Sequence, residues 1–246
     1  MIRTLLPFLI ILATGCAELS RVVREMDPNR PLTKSEVVRG LKQALVIGAD
    51  SAASRLSVKD GYYRDHLVKI TLPPEAEIIT RNAGRIPGGE KLLEDILLRI
   101  NRSAEDAAEE AAPVFAKAVT SMSIRDGFEI LRGENNAATE YLKAETYNEL
   151  YQLYQPKIQA SLDKEIVGSI STNESWDTLT AKWNRIADSI VGRVADLETI
   201  ETELDKYLTE KALDGLFLKL ANEEEKIRTT SSARVTDLLK RVFEKS

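Results

Sequence analysis

Cysteine and histidine each occur once in this chain of 246 residues, as Cys16 and His66. One cysteine excludes an internal disulfide, and a lone histidine without cysteine or histidine company does not make a zinc site. A nucleophile–histidine–acid triad has almost no raw material, and neither a Gly-x-Ser-x-Gly elbow nor a His-Glu-x-x-His helix is present. The glycines at 84, 88 and 89 come close to a phosphate-cradling loop, but Glu90, Lys91 and Leu92 follow. The hydroxyl is missing and an acid stands where phosphate would sit. Basic runs are absent too, and the formal charge of −5 argues against a general nucleic-acid binder. No long apolar stretch spans a bilayer, since Leu5 to Leu12 is far shorter than the roughly 20 residues required.

What is present is helical periodicity and an address. With 43% hydrophobic and 30% charged residues, the chain has enough material for one well-packed domain. Residues 1–15 read as a signal peptide: Arg3 gives the positive start, Leu5 to Leu12 the apolar centre, and Ala13-Thr14-Gly15 the small residues before Cys16. The placement of Cys16 resembles the lipobox of bacterial lipoproteins, in which the thiol is acylated, although Ala13 stands where leucine is usual. A plain secretory signal ending near a cysteine is the alternative. Residues 16–31 then form a tether, broken by Asp27-Pro28-Asn29-Arg30-Pro31 and able to reach at most about 50 Å.

A helical domain is expected over residues 32–246. Thr33-Lys34-Ser35-Glu36 is a capping box. The helix it opens has Val37, Leu41, Leu45, Ala52 and Leu56 on one face, with a small-residue row, Gly40, Ala44, Gly48 and Ala52, beside it. That row predicts a closely packed second helix, a ligand groove being the other reading. One short extended segment is expected near residues 66–73, because Pro73-Pro74 force the preceding backbone open. A helix from Glu90 to about Ala112 is kinked or restarted by Pro113, and Ser123 caps a short helix ending at Gly133. Asn135-Asn136 open another, with Tyr147, Tyr151 and Tyr154 on a stripe that is either core rim or ligand cleft. The polar stretch at 169–175 is expected to act as a hinge between two lobes. Trp176, Leu179, Trp183, Ile186 and Ile190 form the next stripe, ending at Gly192, and the acids from Asp196 to Asp205 read as a solvated face.

The chain closes on a helical pair, Leu204 to Phe243. Leu208, Ala212, Leu216, Leu220 and Ile227 repeat at helical spacing, widened by Leu213 and Phe217. Glu224 falls on this stripe, where burying a carboxylate requires a partner. Arg228 is one turn away, and Arg234 lies on the apolar side of the second segment. Glu224, Arg228 and Arg234 are therefore the candidate site: an inward ion pair or a ligand-binding group.

Several stretches carry a family resemblance. They are Gly40-Leu41-Lys42-Gln43-Ala44-Leu45, Lys69-Ile70-Thr71-Leu72-Pro73, Asn101-Arg102-Ser103-Ala104-Glu105, Ala111-Ala112-Pro113 and Ala137-Ala138-Thr139-Glu140-Tyr141. The ending adds Lys211-Ala212-Leu213-Asp214-Gly215-Leu216-Phe217, Glu224-Glu225-Lys226-Ile227-Arg228 and Ala233-Arg234-Val235-Thr236-Asp237-Leu238-Leu239-Lys240. Together they resemble the bacterial domain-of-unknown-function family 4197, with Ser103 in place of an expected alanine. The resemblance implies an all-helical envelope protein and brings no established activity or catalytic residues.

The expected protein is all-α, a single multi-helix domain held in the bacterial cell envelope on the periplasmic side. Its membrane partner is reached through a lipid on Cys16, in the outer membrane by preference over the inner. It is read as a binding or scaffolding module for an envelope protein. Alternatives are a carrier or sensor of an apolar ligand between helices, and a carboxylate-based hydrolase. No cofactor, metal or nucleic-acid partner is expected.

Overall fold

The computed structural model describes residues 31–82, 89–167, 170–194, 196–200 and 203–243. The expected signal peptide, Cys16, nearly all of the tether and most of the glycine loop after Ala83 lie outside them.

Thr33 opens α1 (Lys34–Ser57) as the capping box predicts. The Glu36 amide donates to Thr33 Oγ1 at 3.3 Å, and the Thr33 amide donates to Glu36 Oε2 at 2.9 Å. The small-residue row on this helix lets the chain's end approach. A Cβ on Gly40 would lie 2.9 Å from Val242 Cγ2, and one on Gly48 3.5 Å from Ile227 Cδ1. After α1 the chain reverses at Asp60 (φ 72°) and Gly61, where a Cβ would sit 2.5 Å from the Leu56 carbonyl oxygen. Only glycine fits there.

Residues 66–68 form a turn and residues 69–73 have no regular secondary structure. The expected extended segment is thus no strand: Asn101, and no neighbouring strand, takes up the peptide groups of Ile70. A 3₁₀ turn at Pro74–Ala76 leads into α2 (Glu77–Asn82). The long helix expected next is two, α3 (Gly89–Ala108) and α4 (Ala111–Ser121). Pro113 sits in the first turn of α4, where its missing N–H costs nothing. Ser123 caps α5 (Ile124–Arg132) in a reciprocal box with Asp126, and Gly133 ends it. Next comes α6 (Ala137–Leu162), which runs through Pro156.

Among the described residues, β structure is confined to the small antiparallel pair β1 (Glu165–Val167) and β2 (Ile170–Ser171). Residue 169 of the expected hinge lies outside the described residues, and nothing among those described divides the chain into two lobes. Residues 172–175 are the first turn of α7 (Thr172–Ala187), fixed by Ser171 and Glu174 in another reciprocal cap, and Trp176 joins the common core. The stripe through α7 stops at Ala187. Ile190, Val191 and Val194 of α8 (Ile190–Val194) are 84%, 76% and 83% exposed, so Ile190 is not part of the buried face.

The closing pair is α9 (Leu204–Thr229) and α10 (Asp237–Phe243), joined by a 3₁₀ turn at Ser231–Ala233. The α9 helix packs along α6 and against α1 and α3, while α10 lies on α1. Leu208, Ala212, Leu213, Leu216, Phe217, Leu220 and Ile227 are buried, and they belong to the same cluster as α1, α4 and α6. The molecule is all-α with one core.

Candidate functional site

The apolar stripe of α9 directs Glu224 inwards, and there the side chain meets the start of α6. The first amides of a helix have no internal partners. Asn136 holds the N-cap position but makes no side-chain cap. Glu224 fills that role from another helix. Its Oε1 accepts from the Ala138 amide at 3.0 Å, and its Oε2 accepts from the Thr139 amide at 2.8 Å and hydroxyl at 2.9 Å. Arg228 Nε donates to Oε1 at 2.9 Å, and Nη2 lies 2.8 Å from the same oxygen. The side chains of Glu224 and Arg228 are 7% and 11% exposed, so the pair is shielded from salt and solvent.

Arg228 also donates through Nη2 to the Ile130 carbonyl at 2.9 Å, in the last turn of α5. Carboxylate and guanidinium therefore face the positive end of α6 and the negative end of α5 respectively, each complementing a helix dipole. The pair is a rivet between three helices. Arg234 is not in it. Its Nε donates to the Ile227 carbonyl at 3.0 Å and its Nη2 to the Arg228 carbonyl at 2.8 Å, capping the end of α9. Its guanidinium also stands 5.9 Å from the Phe243 ring centre.

Beside Glu224 lies a pocket of about 20 Å³ lined by Leu41, Ala44, Gly48, Leu142 and Phe243 among others. That is room for about one water molecule. The small-residue row is filled by the closing helices. On α6, Tyr147 and Tyr151 are half-buried and Tyr147 stacks on Phe217 with ring centres 6.3 Å apart. Tyr154 is fully buried, and burial pushes its hydroxyl well above the ordinary tyrosine range.

A second buried carboxylate, Glu105 on α3, has the same arrangement. Its Oε1 accepts from the amides of Tyr62 and Tyr63, each at 3.2 Å, and its Oε2 accepts from the Asp60 amide at 3.2 Å and from Arg102. Arg102 reaches on to Asp60 Oδ1 at 2.6 Å, and this hydrogen bond holds the Asp60 carboxyl below the usual range. Periodicity gave no signal for Glu105, because α3 is alanine-rich here. The signal available was the acid itself, embedded among Ala104, Ala107 and Ala108, all buried. Among the described residues, no group of three or more His, Cys, Asp or Glu is placed to hold a metal. Nor is any helix among them long and apolar enough to cross a membrane.

The family described as "Protein of unknown function (DUF4197)" matches residues 31–244. The chain belongs to this family. No curated protein and no solved structure matches it. Several of the stretches that carry the DUF4197 resemblance clasp each other. Glu224 holds the Ala138-Thr139 turn and Asn101 holds Ile70, and from outside those stretches the Tyr62 hydroxyl donates to the Ala212 carbonyl at 2.7 Å. At Gly215 of this DUF4197 chain a Cβ would come within 2.9 Å of Tyr62 Cε1 and 3.1 Å of Val68 Cβ. These positions account for close packing and for buried polar groups that need partners.

Proposed function

We propose that this DUF4197 chain is a lipid-anchored cell-envelope protein that works by binding or scaffolding rather than by catalysis. The observation that supports the second half is the saturation of Glu224. A carboxylate that moves protons or attacks a substrate needs a free oxygen facing it. Here each oxygen already accepts two hydrogen bonds, from Ala138 and Arg228 on one side and from Thr139 twice on the other. The hydrolase reading calls for Glu224 in an open cleft. The apolar-carrier reading calls for several hundred Å³ between the helices, against about 20 Å³ beside the small-residue row.

The anchor rests on Cys16, the single cysteine, placed after Thr14-Gly15. Its test is the intact mass of the protein isolated from bacterial envelopes, together with its partition between detergent and aqueous phases. A chain beginning at an acylated Cys16 is expected in the detergent phase, and a Cys16→Ser chain in the aqueous phase. An unmodified chain with a different N-terminus overturns the anchor. For the scaffolding role, crosslinking in intact cells should join the chain reproducibly to the same envelope component.

A further inference from the structure

No basic run exists in the sequence, yet folding assembles one on the surface. Where the end of α1 and the turn after it meet α9, a groove of about 550 Å³ opens, with Arg55, Lys59 and Arg64 on one wall and Lys219 and Lys226 on the other. Three carboxylates share it, and their pairing leaves charge over. Asp65 is taken by Lys219. Glu223 is shared by Lys226 at 2.7 Å and Arg55 at 3.7 Å. Asp60 is shared by Arg64 at 3.2 Å and by Arg102 from behind at 2.6 Å. Lys59 is exposed, and among the described residues no hydrogen bond or ion pair holds it; its charge acts on Asp60 only through space. Five cations therefore face three carboxylates, in a chain whose formal charge is −5.

We propose that this groove binds a phosphate-bearing ligand with at least two negative charges. Two features suit a phosphate ester. The side chains of Arg55 and Arg64 are 63% and 79% exposed, and arginine pairs with phosphate oxygens in a bidentate way. The volume matches a small organic ligand, and Val58 and Leu67 at the groove are 57% and 53% exposed, an apolar margin for the organic part of an ester. The ligand deepens the binding role argued above and rests on it, but not on the lipid at Cys16. The same chemistry occurs in a soluble phosphate ester and in a phospholipid headgroup.

His66 stands on the groove wall and is the single histidine, so its ring signal in a histidine-labelled sample reports on this place alone. The full-length protein, purified in a neutral detergent at low salt, is titrated with pyrophosphate and separately with dihexanoylphosphatidic acid, whose phosphomonoester carries up to two negative charges. A saturable shift of the His66 signal is expected, weakened by salt. Lys59→Glu should weaken binding roughly tenfold, while Lys34→Glu, outside the groove, leaves it unchanged. Tighter binding of pyrophosphate assigns a soluble phosphate ester, and tighter binding of the glycerol lipid assigns a headgroup. Absence of saturation with both probes overturns the site, as does equal affinity in a Lys59→Glu protein whose circular dichroism matches the wild type. Either result leaves the scaffolding role standing; that role fails separately, if crosslinking finds no reproducible envelope component.

Discussion

Asn101 and Ile70 form a complete amide pair. The Ile70 amide donates to Asn101 Oδ1 at 2.8 Å, and Asn101 Nδ2 donates back to the Ile70 carbonyl at 2.9 Å. One side chain on α3 thus does for a buried, irregular segment what a neighbouring strand would do. Asn101 is fully buried and Ile70 nearly so, which leaves water no access to either peptide group.

Asn101→Leu keeps the volume and removes both bonds, stranding a buried N–H and a buried C=O. A loss of about 3 kcal/mol in unfolding free energy is expected, read from urea denaturation. A loss below about 0.5 kcal/mol would show that another group takes over the Ile70 peptide.

Glu224→Gln leaves Arg228 buried without its counter-charge and turns an amide nitrogen towards the amides of α6. The expected cost is about 3 kcal/mol. In a double-mutant cycle with Arg228→Met, the double variant should cost clearly less than the two single losses together. If Glu224 instead belonged to a strained catalytic site, neutralising it would raise or preserve the melting temperature.

The glycines of the small-residue row should respond with opposite signs. At Gly40 a new methyl would crowd Val242 Cγ2 at 2.9 Å and Leu238 Cγ at 3.0 Å, so Gly40→Ala should destabilise by about 1 kcal/mol despite its better helix propensity. At Gly48 the nearest side-chain atom is 3.5 Å away, ordinary contact, so Gly48→Ala should gain up to about 1 kcal/mol. Parallel thermal melts decide it, and matching signs would mean that α10 does not press on α1 as described.

Alkaline pH should unfold the protein through Tyr62 and Tyr154. Burial raises both hydroxyls above the ordinary value of 10.0 in the folded state, whereas the unfolded chain ionises near that value. Their contribution to stability is fully present below pH 10 and falls as pH rises beyond it, by up to about 1.4 kcal/mol per pH unit for each. Their tyrosinate absorbance should therefore appear together with the loss of helical circular dichroism. Absorbance from both before unfolding would contradict their burial. At neutral pH, Tyr62→Phe should cost about 1 kcal/mol through the lost bond to Ala212. Tyr154→Phe should cost almost nothing, because its hydroxyl has no partner among the described residues.

Local chemistry was legible in the sequence, and long-range pairing was not. The Thr33–Glu36 box, the Ser123 cap, the restart at Pro113 and the stripe of α9 with Glu224 turned inwards all follow from signals within one or two helical turns. Periodicity fixes which way a side chain points and is silent on what waits there. It could not show that Glu224 meets amides 85 and 86 residues away, or that Arg234 turns back to its own helix end. Asn101 and Glu105 escaped because polar residues in an alanine-rich helix look like an exposed face. The phosphate groove escaped because its two walls, near residues 55–64 and 219–226, become neighbours only in three dimensions.

Helix α10 presses on α1, the last described helix against the first. A ribosome delivers these partners in the least convenient order. While residues 204–243 are still unmade, the glycine face of α1, the opening amides of α6 and the Tyr62 hydroxyl have nothing to hold, so the nascent chain stays open. Closure of that core then waits on the arrival of α9 and α10. Without α9 and α10 those faces stay bare, so burial of the first described helix depends on the last ones.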